Sequence, residues 1–334
     1  MSVKCYAAFK PKEPLKEFQY DLHALAPQEI TIKVTHCGIC HSDIHLVDGD
    51  WGTQHFPIVP GHEVIGIVED LGANVKDLKK GDRVGIGWQS GSCMECEWCL
   101  KGEENLCVAS TATCRGHFGG FGERMQTDSR FAFVIPKEID STGAAPLLCG
   151  GITVYSPLKR LVDAPKAKVG IIGVGGLGHL AVQFASALGY EVTAFSSTPG
   201  KEKEVKALGA KNFISSVNVT ELKKKKSAFD FILSTVNVGM HWEDYLSALR
   251  PNGKLCVVGV APGPLGITAD ALIPDQKMVV GSVIGSRKLI KEMLGFAAKH
   301  NIKAQVEVMA LKDVNLAIKK VKQNKARYRM VLEV

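Results

Sequence analysis

The chain has 334 residues, of which 46% are hydrophobic and 22% charged, and it carries a formal net charge of +7. That length exceeds one ordinary core and points to two domains, while the composition excludes a disordered or fibrous chain. The opening segment MSVKCYAAFKPKEP has no apolar stretch of signal-peptide length, and no apolar run is long enough to cross a membrane; a cytoplasmic protein with no membrane partner is expected.

Through about residue 150 the chain reads as short apolar runs broken by glycine and proline. Ile30-Thr31-Ile32-Lys33-Val34 alternates as a half-buried strand should, and Val64-Ile65-Gly66-Ile67-Val68 and Arg83-Val84-Gly85-Ile86 predict further strands. This pattern predicts a β-rich, barrel-like domain. Beyond it the rhythm changes to β–α alternation. A strand at Val169 to Ile172 leads to a glycine loop and a helix over Leu177 to Leu188. Next come a strand over Glu191 to Phe195, a basic helix ending at Leu208-Gly209, and strands near Phe213, Phe229 to Leu233 and Lys254 to Val258. That order predicts a parallel, doubly wound sheet. A helix over Leu289 to Lys299 and a strand at Met330-Val331-Leu332 are expected to rejoin the first domain. The lysine runs Lys201 to Lys206 and Lys223 to Lys226 lie apart from the aromatic residues. They fit a solvated surface, and no nucleic-acid partner is expected.

Cys93, Cys96, Cys99 and Cys107 form C-x2-C-x2-C-x7-C. Four thiolates so closely spaced can surround one Zn2+ tetrahedrally. A disulfide framework belongs to secreted chains. An iron–sulfur run of the bacterial type has a tighter last gap followed by Pro, whereas Cys107 precedes Val108. With four protein sulfurs on the metal no position is open to substrate, so this zinc is expected to be structural.

Gly173-Val174-Gly175-Gly176-Leu177-Gly178 is G-x-G-x-x-G placed between a predicted strand and a predicted helix, the context a dinucleotide site requires. Gly173 permits the tight turn, Gly175 lets the backbone approach a pyrophosphate, and Gly178 packs helix against strand. The helix start offers N–H groups to phosphate. Where NAD enzymes carry a carboxylate at the end of the next strand, this chain has Ser196-Ser197-Thr198, then Pro199-Gly200-Lys201. Small hydroxyls and an amine suit a 2′-phosphate, so NADP(H) is expected. Taken simply as a loop, the same residues would cap the next helix.

Cys40, His62 with Glu63, and Cys149 occur in GICHSD, PGHE and PLLCGG. Two Cys and one His would leave a fourth zinc position open for substrate, but spacing alone cannot unite residues so far apart. Taken singly, Cys40 and Cys149 read more readily as small buried residues than as ligands.

The segments GICHSD and PGHE, the cysteine lobe, GVGGLG and Tyr328-Arg329-Met330-Val331 occur in order over essentially the whole chain. On them the sequence resembles the zinc-dependent medium-chain alcohol dehydrogenases, cinnamyl alcohol dehydrogenase type, including bacterial aldehyde reductases. The resemblance implies an α/β protein with a GroES-like catalytic domain over residues 1–148, its zinc lobe at 90–108, completed by 287–334. A Rossmann domain would occupy residues 149–286, with two zinc ions per subunit, NADP(H), and usually a homodimer. It makes Cys40, His62 and Cys149 the catalytic zinc ligands, with Glu63 an exchangeable neighbour. Asp43 would orient the zinc histidine. Ser42 would hydrogen-bond the alcohol oxygen, and His45 would pass its proton through the nicotinamide ribose to solvent. Thr153 and Leu177 match residues beside the nicotinamide, and Arg329 a basic residue near the pyrophosphate. Gly173, Gly175, Gly176 and Gly178 form the phosphate turn, and Ser196, Ser197, Thr198 and Lys201 fall on the 2′-phosphate loop.

The implied reaction is hydride transfer between NADP(H) and a primary alcohol or aldehyde, with zinc polarising the carbonyl. Trp51, Trp88, Val283 and Ile284 match pocket-lining positions, and two indoles suit an aromatic or medium-chain substrate. The chain departs from the family between Cys107 and Gly119, where it is short and carries an unmatched Cys114-Arg115-Gly116-His117. A polyol or sugar dehydrogenase of the same superfamily would more often carry an acidic residue at the second strand's end. A zinc-stabilised binding protein would leave Cys40, His62, Cys149 and the glycine motif without a role.

Overall fold

The computed structural model describes every residue except Thr53 and Gln54. The chain divides into two compact units, one comprising Met1–Ile152 and Gly285–Val334, the other Thr153–Ile284. No described helix is long and apolar enough to cross a membrane.

The first unit is built on a seven-stranded sheet centred on the long strand Glu29–Ile39. That strand pairs antiparallel with Glu63–Leu71 and with Arg329–Glu333, and its first half also pairs with Arg124–Asp128. Arg83–Ile86 and Ala132–Val134 extend the sheet beyond Glu63–Leu71, and Val306–Ala310 extends it beyond Arg329–Glu333. Ile30, Ile32, Val34, Cys37, Ile39, Val64, Val68, Val84, Ile86, Met330 and Leu332 are buried in one core. Residues after Gly285 therefore complete this unit, because Met330 faces Ile39 across the ladder.

Glycine governs how closely two of these strands approach at the site. Gly38 pairs with Glu63 in register. A Cβ on Gly38 would stand 2.1 Å from Glu63 Oε2. No larger residue leaves room for that carboxylate.

The second unit is a six-stranded, wholly parallel sheet. Its spatial order is Asn212–Ser215, Glu191–Ser196, Lys168–Ile172, Phe229–Ser234, Leu249–Val257 and Met278–Gly281. The chain order reverses at Lys168–Ile172, the switch point at which such sheets bind ligands beyond their carboxyl ends. Ile172, Phe195, Ile214, Phe229, Ile232, Trp242, Tyr245 and Leu255 are buried together. The three apolar strands Glu191–Ser196, Lys168–Ile172 and Phe229–Ser234 are buried along nearly their whole length, as the centre of a parallel sheet demands.

Candidate active site and metal centres

Cys40 ends the central strand region and caps the helix His41–Asp48, which begins the segment carrying Ser42, Asp43 and His45. Asp43 is the hub. Its Oδ2 accepts the Cys40 backbone N–H at 2.9 Å, and its Oδ1 accepts the Gly61 backbone N–H at 2.9 Å. The same Oδ1 lies 2.7 Å from His62 Nδ1, with both side chains buried. A carboxylate only accepts, so Nδ1 carries a ring proton and Nε2 is the nitrogen left to ligate a metal once its own proton is displaced. That Nε2 lies 3.3 Å from Cys149 Sγ. Cys149 follows the 3-10 turn Ala145–Leu148, immediately before the helix Gly150–Leu161. One donor atom each from Cys40, His62, Glu63 and Cys149 lies within 4.8 Å of the others.

This donor set fits a zinc ion on chemical grounds. Burial opposes a charge on His62, but Asp43 and Cys149 outweigh it and raise its pKa well above the ordinary imidazole value. A hydrogen bond from Cys149 holds the Cys40 thiol well below its usual range, and the same bond drives Cys149 well above it. The two thiols thus divide one negative charge in a buried place, a situation a cation relieves. Burial pushes Glu63 up to about 7 although Arg329 pulls it down. Glu63 Oε1 takes the Arg329 guanidinium, and Oε2 is buried with no hydrogen-bond partner among the described residues. A buried carboxylate oxygen without a hydrogen-bond partner, beside two thiols and an imidazole, suits a cation.

Arg329 was expected at a pyrophosphate; in the structure it is buried and ion-paired with Glu63. Ser42 Oγ lies 3.7 Å from Cys40 Sγ, at the edge of the donor set. His45 Nδ1 lies 2.8 Å from Asp50 Oδ2. Sequence reading missed Asp50, although its carboxylate orients the proposed relay histidine. The Trp51 ring stacks on His45 with centroids 5.3 Å apart, and Trp51 meets Trp88 edge-on at 5.9 Å. Trp88 in turn stands T-shaped against His62 at 4.9 Å. Trp88 therefore flanks the donor set, with Trp51 packed against Trp88 and against His45.

The lobe holding Cys93, Cys96, Cys99 and Cys107 is separate from this centre. None of these cysteines is in a disulfide. Cys93 Sγ lies 3.9 Å from Cys99 Sγ and 3.5 Å from Cys107 Sγ. The edge of a tetrahedron with Zn–S of about 2.3 Å is about 3.8 Å, so the sulfurs already stand at zinc-site separations. Backbone N–H groups of Glu95 and Cys96 pull the Cys93 thiol down to about 6, favouring the thiolate a metal needs. Glu104 of the lobe is buried and takes Arg287 Nη1 at 3.2 Å, while Arg287 Nε donates to Arg130 O at 2.8 Å. Neither residue of this anchor stood out in the sequence.

In the second unit the glycine motif turns out of Lys168–Ile172 into the helix Gly178–Ala187. Gly173 has φ +84°, and a Cβ on Gly178 would come within 1.8 Å of Gly173 O. A Cβ on Gly175 would meet nothing within 4 Å. The turn is tight where it must close and open where a phosphate would lie. Thr235 Oγ1 braces it by donating to Ile172 O at 2.9 Å. Ser196 is buried, Ser197 and Thr198 are exposed, and Lys201 Nζ donates to Val174 O at 2.6 Å. The amine thus lies against the glycine turn. Thr153, Val283 and Ile284 also belong to this unit, with Val283 exposed and Ile284 buried.

A buried cluster of two cysteines, a histidine and a glutamate on a β-rich unit, in one chain with a dinucleotide-type parallel sheet, is an arrangement that suits a zinc-dependent oxidoreductase. The family model described as the alcohol dehydrogenase GroES-like domain matches residues 26–137, and that described as the zinc-binding dehydrogenase matches residues 176–299. The chain is 45% identical over 330 residues to the aldehyde reductase AdhA of Synechocystis sp., covering 99% of this chain and 98% of that one. A cinnamyl alcohol dehydrogenase structure from Sorghum bicolor superposes with a TM-score of 0.95 at 37% identity, covering 100% of this chain and 98% of the other. The CAD of Helicobacter pylori, complexed with NADP(H), gives 0.92 at 34% identity, again covering 100% and 98%. The chain belongs to the zinc-dependent medium-chain alcohol dehydrogenase family, cinnamyl alcohol dehydrogenase type, and is an alcohol or aldehyde dehydrogenase.

Proposed function

We propose that the protein is an NADP(H)-dependent reductase of aromatic or medium-chain aldehydes, acting reversibly on the corresponding primary alcohols. The observation that carries this reading is the buried Cys40, His62, Glu63 and Cys149 donor set, with His62 Nε2 freed by the Asp43 hydrogen bond. Cys40, His62 and Cys149 would hold the catalytic zinc, and Cys93, Cys96, Cys99 and Cys107 the structural one. When bound, zinc supplies a Lewis acid at the substrate oxygen and NADPH supplies the hydride.

The chain's own residues do the rest. Ser42 positions the substrate oxygen and exchanges a proton with it. His45, aligned by Asp50 on one side and Trp51 on the other, moves that proton towards solvent. Trp51 and Trp88 offer flat apolar walls that exclude water from the reacting group and favour aromatic or extended apolar substrates. Arg329 favours the charged form of Glu63 beside the donor set, against the burial that opposes it.

For the cofactor, Gly173, Gly175, Gly176, Leu177 and Gly178 form the pyrophosphate turn, and Thr153 stands by the nicotinamide. Ser196, Ser197, Thr198 and Lys201 form a loop with no carboxylate to repel a 2′-phosphate. The NADP(H) complex of the Helicobacter pylori relative supports the same choice. A cytoplasmic homodimer is the assembly in keeping with the family.

NADPH oxidation against aliphatic, aromatic and sugar aldehydes tests the reading. Turnover is expected with aromatic and medium-chain aldehydes; turnover confined to sugars would refute the substrate class. Protein fluorescence should report tight NADPH binding and far weaker NADH binding, and equal affinities would remove the cofactor assignment.

A further inference from the structure

Cys114, in the stretch that the family pattern leaves unmatched, reaches the metal centre. Its Sγ lies 3.9 Å from His62 Nδ1 and 3.9 Å from Asp43 Oδ1, the two atoms joined by the 2.7 Å hydrogen bond. The side chain therefore lies across that bond and not at either end. Cys114 is 1% exposed.

The other side of Cys114 faces a cavity of about 440 Å³, bordered by Tyr20, His55, Phe56, His117 and Phe118. Neither Asp43 nor His62 borders it among the described residues. Cys114 is thus a partition, with polar imidazoles and room for several water molecules on one side. On the other is a buried carboxylate–imidazole bond. A thiol is a weak donor, and at this distance it adds little hydrogen bonding. Asp43 Oδ1 already accepts from Gly61 N and from His62. Water admitted here would be a much better donor and would compete with His62 for Oδ1. The imidazole would then be free to rotate, and its Nε2 would leave the donor set.

We propose that Cys114 is a positioning residue whose bulk keeps the water of this cavity off the His62–Asp43 bond, so that His62 Nε2 stays directed at the catalytic metal. The proposal rests on the assignment of Cys40, His62 and Cys149 as zinc ligands.

Zinc release from the full-length protein into a chromogenic chelator tests it, because the four-cysteine lobe supplies a second zinc as an internal reference. In Cys114→Ala the catalytic zinc should leave about tenfold faster than in the wild type, in the range expected when a ligand's supporting contact is lost. The lobe's zinc should leave at an unchanged rate, which general destabilisation would not allow. Cys114→Val keeps the bulk without a thiol, and should hold zinc within about twofold of the wild type. The proposal is overturned if Cys114→Ala matches the wild type, if both zinc ions leave faster together, or if Cys114→Val behaves like Cys114→Ala. A wild-type protein carrying only the lobe's zinc would instead refute the ligand assignment, and stoichiometry reveals this before any variant is compared.

Discussion

The two cysteine-bearing centres of the first unit are assembled in opposite ways. Cys93, Cys96, Cys99 and Cys107 come from one continuous stretch, held by local turns and by the Glu104–Arg287 pair. Cys40, His62 and Cys149 come from three separate segments and meet only because the sheet and the Asp43 hydrogen bonds bring them together. The first set is all sulfur, and its four thiolates would leave a tetrahedral zinc no open position. The second mixes sulfur and imidazole and is supported by a buried carboxylate network. Donors adjacent in sequence can build a self-contained clamp, whereas an open site needs the fold to hold its ligands apart from solvent and short of saturation.

Breaking the second centre should have the largest effect on rate. Cys40→Ala is expected to lower kcat/KM by roughly a thousandfold or more, the scale of several kcal/mol of lost Lewis-acid stabilisation. Metal analysis should show one zinc lost and one kept. Retained activity would end the distinction drawn between the centres. Asp43→Asn keeps the shape of the hub but removes its charge, and should weaken catalytic zinc binding by about 10- to 100-fold, measured by zinc retention on dialysis. Asp50→Asn should loosen only the orientation of His45. An approximately tenfold fall in kcat with KM unchanged is expected, below the full contribution of a general acid–base group. Cys99→Ser lies at the small end for catalysis. Activity per folded molecule should persist at low temperature, while loss of the structural metal costs stability on the order of 4 kcal/mol and lowers the melting temperature. A Cys99→Ser protein that melts normally but is inactive would reverse the roles of the two centres.

Much of this was legible in the residue pattern where a rule of spacing exists. Ile30–Val34 alternates and lies within Glu29–Ile39, and Val169–Ile172 precedes its glycine turn as the motif requires. Other elements gave weaker signals. The helix Gly150–Leu161 begins with two glycines and contains Pro157, residues that normally argue against a helix. The strand Lys16–Asp21 reads KEFQYD, and its charged residues hide a short edge ribbon paired with Ser2–Ala7. At the site, Asp50 follows a helix ended by Gly49 in the left-handed region, and only that chain reversal returns its carboxylate to His45. Cys114 carried a faint signal as a cysteine in an unmatched stretch, but nothing in its spacing pointed to His62. Thr235 and Arg287 act through backbone and ion-pair contacts that no motif encodes.

The pairing of Arg329–Glu333 with Glu29–Ile39 also fixes a timetable. Arg329 lies 266 positions beyond its partner Glu63, and the whole second unit is synthesised between them. That intervening unit, Thr153–Ile284, is continuous and can fold as it emerges from the ribosome. The earlier strands must meanwhile wait with one sheet edge unpaired, a slow and aggregation-exposed condition. The four-cysteine lobe needs no such delay and can take up its metal early. The open centre acquires the guanidinium that balances Glu63 only when the last strand docks, so a nascent chain can be metallated in its clamp long before it is competent to react.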